Sequence, residues 1–305
     1  MASSSAPGSE TPALAAGIGC YVLWGLLPLQ FQVLDRLGVS PWEILAERIV
    51  WATPVAWLFV VLARQGRETR AVLNDPRVIG WLTASSLLIA LNWATYIWAV
   101  NSGRVLETSL GYYLNPLLNM AAGALIFRER LDRTGLAAIA LAAVGVAIQA
   151  VALGHLPVIS LVVAITFCGY GIVRKRVAAS AQTGLFVECL ILLAPSLAYA
   201  AWLAHTGGGH LGTSTASTLW LLACGPATAI PLALFAWAAR RVPFSLMGFL
   251  QFIAPTMTFV MGVWQGEAFT PARAVSFACI WGGATIYMWG AWKRSRAASD
   301  PLISA

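Results

Sequence analysis

The chain contains the same pattern twice. Glu47 to Pro54 and Glu188 to Pro195 are both seven residues apart, and Trp81 to Trp98 and Trp220 to Trp237 are both seventeen. Pro116, Glu129 and Gly145, spaced 13 and 16, are answered by Pro255, Glu267 and Gly283, spaced 12 and 16. The offset between copies stays between 138 and 141, the mark of an internal repeat. Each copy also holds five apolar stretches. An odd number of membrane crossings leaves the second copy upside down relative to the first, an architecture on which many transporters are built.

Composition places the repeats in a bilayer. Of 305 residues, 59% are hydrophobic and only 10% charged, with a mean hydropathy of +0.76; a soluble domain carries about 25% charged residues. A spanning helix needs about 20 apolar residues, and uncharged runs of that size cover 12–34, 78–103, 108–127, 242–266 and 274–292. Two longer runs each divide into a pair of helices: 134–173 breaks at Gly154-His155-Leu156-Pro157, and 189–239 breaks at Gly207-Gly208-Gly209-His210. With 43–63, which carries Glu47 and Arg48, the count is ten. The expected fold is an all-α membrane protein with ten transmembrane helices as two inverted five-helix repeats, residues 12–153 and 154–292, flanked by tails 1–11 and 293–305.

Basic residues set the orientation. Fifteen of nineteen fall after the second, fourth, sixth and eighth spans or in the C-terminal tail; the other side holds only Arg36, Arg104 and Arg273, and Arg48 lies inside the second span. Positive segments near helix ends are retained in the cytoplasm, so both termini are expected there. The net charge of +7 then reports topology and not a nucleic-acid partner. Residues 1–11 lack the basic n-region of a secretory signal, so the first span is expected to stay attached.

Cys20, Cys168, Cys189, Cys224 and Cys279 lie in apolar spans without a CxxC pair, which indicates neither a disulfide framework nor a zinc site. His155, His205 and His210 sit at helix ends or in a loop and lack a further ligand, so no metal and no cofactor is assigned.

Polar side chains in hydrocarbon are costly and face the bundle interior or a wet cavity. In the fourth span Thr108, Tyr112, Asn115 and Asn119 share one helical face, and in the third Ser85, Asn92 and Tyr96 do so. In the ninth, Gly248, Gln251, Pro255, Thr258 and Gly262 form a small and polar face. Singly, such residues are ordinary helix glue; faces from both copies together can surround a central path. Pro116 and Pro255 occupy matching positions expected to be mid-helix, where each frees a carbonyl and kinks the helix, as a gate or as a static bend. Glu47 and Arg48, about one turn into the second span, and Glu188, equally shallow in the seventh, are candidates for gating or proton coupling; local pairing near the headgroups is the plainer alternative.

Trp42, Trp81, Trp202, Trp220, Trp264, Trp289 and Trp292 fall near span ends, where an interfacial belt is expected, while Trp24, Trp51, Trp93 and Trp281 lie deeper. Ala138, Ala142 and Gly145 of the fifth span and Gly282-Gly283 of the tenth offer surfaces for close helix contact, within a monomer or across a homodimer.

The stretches Leu91-Asn-Trp-Ala-Thr-Tyr-Ile-Trp-Ala-Val-Asn101 and Glu107-Thr-Ser-Leu-Gly-Tyr-Tyr-Leu-Asn-Pro-Leu-Leu-Asn119 closely resemble the RarD group of the drug/metabolite transporter superfamily, with its EamA-type repeats. Tyr21-Val-Leu-Trp-Gly25, Glu43-Ile-Leu-Ala-Glu-Arg48, Tyr170-Gly-Ile-Val-Arg-Lys175 and Gly248-Phe-Leu-Gln-Phe-Ile-Ala-Pro255 carry the resemblance across nearly the whole chain. It implies ten helices in a bacterial plasma membrane, a central cavity formed mainly by the first four and sixth to ninth, and peripheral fifth and tenth helices. One departure stands out: Glu47 occupies the place before the arginine where RarD-like sequences commonly carry a basic or imidazole side chain.

The expected function is a secondary transporter moving a small organic solute by alternating access, with no catalytic residues and, lacking a P-loop, no ATP machinery. The partners are a small-molecule substrate and the lipid bilayer, and the assembly is a monomer or homodimer. Trp24, Asn92, Tyr96, Tyr112, Asn115, Asn119, Tyr170 and Gln251 form the expected substrate-facing set. Glu47, Arg48, Glu188, Pro116 and Pro255 are the expected gating or coupling set. The alternative is a non-transporting membrane sensor or scaffold.

Overall fold

The computed structural model describes residues 10–126, 132–239 and 250–299, and every regular element among them is a helix. They are α1 (Glu10–Arg36), α2 (Pro41–Leu62), α3 (Gly66–Leu73), α4 (Pro76–Asn101), α5 (Val105–Ile126), α6 (Arg133–Leu153), α7 (Val158–Arg176), α8 (Ala181–Thr206), α9 (Thr215–Ala239), α10 (Ile253–Trp264) and α11 (Pro271–Ser299). Seven of them, α1, α2, α4, α6, α7, α8 and α9, are long and apolar enough to cross a membrane.

Local chemistry sets the boundaries. Ser40 accepts from the Glu43 N–H and is followed by Pro41, and Asp75 accepts from the N–H groups of Arg77 and Val78 and is followed by Pro76. Asp132 and Ser180 cap α6 and α8 in the same way. Each supplies an acceptor to donors that the helix itself leaves orphaned, and proline at the first position loses no bond. Gly154 and Gly207, at φ 70 and 73, end α6 and α8 in the left-handed conformation that a side chain disfavours. Both lie in the breaks expected from the sequence.

The helices pair across the chain. α1 lies against α9 and α10, α7 against α4 and α5, α2 against α8 and α9, α5 against α10, and α6 against α11. One core cluster gathers Phe31, Leu34, Ile44, Ile97, Val100 and Leu221 from α1, α2, α4 and α9. A second gathers Leu110, Leu114, Ala138, Phe277 and Ile280 from α5, α6 and α11. Large apolar side chains such as Leu87, Leu125, Val151 and Trp264 face outward, while Ser85, Asn92, Thr108, Ser109 and Asn115 are buried. This inversion of the soluble pattern suits a lipid surround.

The small-residue surfaces are used within the chain. A side chain at Gly283 would meet the Ala138 carbonyl at 2.8 Å, and one at Gly145 would meet the Ser276 carbonyl at 2.9 Å. The Ser276 hydroxyl donates to the Gly145 carbonyl at 2.8 Å, so α6 and α11 touch backbone to backbone. Trp42, Trp81, Trp202, Trp220, Trp264 and Trp289 are exposed.

Two expectations are corrected. Pro116 is inside α5, but Pro255 falls in the first turn of α10, after a turn at Gln251 and Phe252. Leu250 before that turn is helical, so Pro255 follows a break between two helical stretches, and in a first turn it costs no helical hydrogen bond. The basic loop after α2 folds into α3, a two-turn amphipathic helix absent from the sequence reading. Gly248, Glu129 and the tails 1–9 and 300–305 lie outside the described residues.

Candidate functional site

Buried polar side chains concentrate where helices from the two copies meet, and they form two clusters linked through the rings of Tyr112, Phe167 and Tyr170. The first centres on Arg48 of α2, only 4% exposed. Its Nε donates to the Thr228 hydroxyl of α9 at 2.7 Å. Its guanidinium lies 4.2 Å from the Trp93 ring centroid and 5.7 Å from that of Phe31. A guanidinium over an indole face is a favourable cation–π arrangement that strengthens as water is removed.

Glu47 does not pair with its neighbour. Adjacent residues on a helix point in different directions, and the Glu47 carboxylate instead accepts the indole N–H of Trp51, one turn on, at 2.8 Å. Among the described residues no ion pair joins Glu47 to Arg48.

The second cluster centres on Glu188 of α8, 3% exposed. It accepts from the Ser85 hydroxyl of α4 and from the Tyr170 hydroxyl of α7, the latter at 3.3 Å, and Arg174 lies 3.7 Å away. Glu188 is thus buried among protein groups, with partners on α4 and α7.

Between the clusters, Asn92 is fully buried and fully bonded. Its amide donates to the Val163 carbonyl at 2.8 Å and to Thr166 at 3.0 Å, and its oxygen accepts the Tyr112 hydroxyl at 3.0 Å. Tyr112 stands edge-on to Tyr96 at 5.3 Å, and Tyr96 edge-on to Phe31 at 6.2 Å. A chain of rings and hydroxyls therefore runs from the Arg48 side to α7. Asn115, 1% exposed and one residue before Pro116, has an Oδ1 with no hydrogen-bond partner.

The remaining predicted residues spread outward. Trp24 packs on Tyr21 and Phe235 as part of an aromatic wall between α1 and α9. Asn119 is exposed, with its oxygen toward Gly171 of α7, and Gln251 is half-buried in the turn before α10. Thr108 returns its hydroxyl to the Val105 carbonyl of its own helix. The structure brings Asn92, Tyr96 and Tyr112 together with Arg48, and Tyr170 with Glu188; Trp24, Asn119 and Gln251 belong to neither cluster.

Sequence reasoning missed the ties at the two ends of the bundle. At one end Glu43 accepts the backbone and ring N–H of His210 at 2.6 and 2.8 Å, Gln32 and Gln265 exchange bonds at 2.9 and 2.8 Å, and Glu267 accepts the Leu106 N–H at 2.6 Å. At the other, Glu68 accepts the Ser180 N–H at 2.6 Å and Gln65 accepts its hydroxyl at 2.9 Å. The only sequence signal for these was a carboxylate or amide flanking each apolar run.

Comparison with known proteins decides the family. Residues 11–150 match the model of the EamA-like transporter family. A protein described as an uncharacterized transporter of Pseudomonas aeruginosa is 40% identical, the match covering 93% of this chain and 96% of that one. Protein RarD of Streptomyces exfoliatus is 37% identical over 98% of this chain and 95% of its own. Protein RarD of Escherichia coli is 36% identical over 89% and 92%. The chain belongs to the RarD group of EamA-like transporters. A crystal structure covering 93% of this chain and 99% of its own superposes on this RarD-group fold with a TM-score of 0.59 at 22% identity. As a multi-pass bacterial membrane protein of the RarD group, it carries both buried polar clusters between helices distant in sequence.

Proposed function

We propose that the chain is a secondary transporter with ten spans in two inverted halves, 12–153 and 154–292, both termini cytoplasmic, moving a small organic solute by alternating access. The observation that carries this reading is the burial of Arg48, Asn92, Asn115 and Glu188 between helices of the two halves, in segments that must otherwise meet lipid. Burying such groups is costly, and ionisable residues held inside a membrane bundle commonly mark a substrate or ion path. The packing supports the inversion: exchanging each helix for its repeat counterpart turns α1 on α9 and α10 into α7 on α4 and α5, while α2 on α8, α5 on α10 and α6 on α11 map onto themselves.

In this reading Asn92, Tyr96, Tyr112 and Asn115 face the solute at mid-depth, with Trp24, Asn119, Tyr170 and Gln251 along the approaches. Glu47 and Glu188 act as gates near either side, and Pro116 supplies a bend. The names of the relatives support transport as the activity. Purified protein in liposomes, screened for uptake and counterflow of small metabolites, tests it. Saturable flux lost in Asn92→Ala or Tyr112→Phe is the expected result, and no flux across a broad panel would overturn it.

A further inference from the structure

The buried carboxylates among the described residues each have their own partner. Glu43 is taken by His210, Glu47 by Trp51, Glu107 by Arg104 at 2.9 Å, and Glu188 by Arg174, Ser85 and Tyr170. The Arg48 guanidinium is the buried cation left over. Among the described residues only its Nε has a hydrogen-bond partner, and no acidic side chain pairs with it. Its surroundings are two ring faces, a threonine hydroxyl and the apolar side chains of the cluster around Phe31 and Cys224.

A guanidinium taken out of water without a counter-charge is costly, and a ring face offsets only part of that. Its two terminal nitrogens form a planar fork that fits the two oxygens of one carboxylate. Anchoring Nε on Thr228 fixes the fork in advance, so that little rotamer freedom is lost when an anion arrives. The edge-on rings of Phe31, Tyr96 and Tyr112, with Trp93 beneath the cation, supply an aromatic wall next to it.

We infer that the transported solute is a small organic carboxylate with an apolar or aromatic body, its carboxylate held by Arg48 and its body lying against Trp93, Tyr96 and Tyr112. This inference rests on the transport reading and specifies its cargo. Arg48 is then a binding residue and not a gate, and Glu47 is held away by Trp51 so that it does not compete for the cation.

The test is a set of matched pairs offered to the wild-type protein in liposomes: benzoate and benzamide, phenylacetate and phenylacetamide, N-acetylphenylalanine and its amide. Thermal shift of the detergent-purified protein with the same compounds provides a second readout. At least one acid is expected to be bound and carried roughly tenfold better than its amide, the scale of one charge-assisted pair. Arg48→Gln should erase that preference, and Arg48→Lys should keep the charge while losing most of the affinity. Amides carried as well as their acids would overturn the carboxylate assignment and leave transport intact. Flux of no compound in this set or in the broader panel would overturn both. Because acid and amide are compared on unaltered protein, a variant that fails to fold does not blunt the result.

Discussion

The Ser85 hydroxyl of α4 donates to the Glu188 carboxylate of α8, a bond between the two repeats in which both partners are buried. Ser85→Ala removes a donor from a carboxylate that cannot turn to water. Leaving such a group short of a partner costs about 1–3 kcal/mol. The thermal midpoint in detergent should fall accordingly, whereas Thr285→Ala, which removes an exposed hydroxyl bonded to its own helix, should change stability by no more than about 0.5 kcal/mol. Equal midpoints for the two variants would mean that the buried bond contributes nothing.

Gly225 of α9 sits against the main-chain carbonyl of Trp51, closer than any side chain allows. Gly225→Ala must push α2 and α9 apart, because the obstacle is backbone and not a flexible tip. Overpacking of this kind costs about 1–3 kcal/mol, and Gly225→Leu should cost more. Gly80→Ala is the contrast: it lies exposed within α4 with nothing nearby, so alanine should stabilise by about 0.5–1 kcal/mol. Unfolding midpoints of the three variants check the order.

The fold was largely legible because its determinants are local or periodic. Apolar runs, Ser40, Asp75, Asp132 and Ser180 before them, and glycines after them mark helices whatever packs outside. The polar stripe of α4 lies inward, and that of α5 does so as far as Asn115, since hydrocarbon leaves polar side chains few other places to go, while Asn119 at its end is exposed. What stayed hidden depends on three-dimensional company. Nothing in the run around Pro255 shows that α10 begins only at Ile253, and nothing in Glu47-Arg48 tells that one turns to Trp51 and the other to Thr228. The amphipathic α3 was missed because eight residues hold too few turns for a periodicity to stand out.

Glu267 lies in the loop after α10, and burial pushes its carboxyl above the ordinary range. The Leu106 N–H, Arg273 and Arg104 pull the other way, and Glu107 adds to the rise. A raised native value means the contribution to stability is fully present below the ordinary carboxylate range and is lost as pH rises through the raised value. Between about pH 4 and pH 7 the wild-type midpoint should therefore decline more steeply than that of Glu267→Gln, which keeps an acceptor for Leu106 and cannot ionise. Parallel curves would show that Glu267 does not titrate differently in the native state.

The cross-half ties at the two ends make opposite predictions if the halves rock. Gln32 with Gln265 and Glu43 with His210 close the end from which α2 starts, while Gln65 and Glu68 with Ser180 close the other. Each such bond is worth about 1 kcal/mol net, so removing two or more at one end should shift the population by at least about thirtyfold toward opening there. Cys224, buried beside Gln30 on the α2-start side, is a built-in reporter once the other four cysteines are replaced. Gln32→Ala with His210→Ala should raise its alkylation by an impermeant thiol reagent at least about thirtyfold from the face that the proposed topology puts outside, and Gln65→Ala with Glu68→Ala should lower it. The sign reversal matters more than the size, because general loosening of the bundle would raise labelling in both variants and would count against rocking halves.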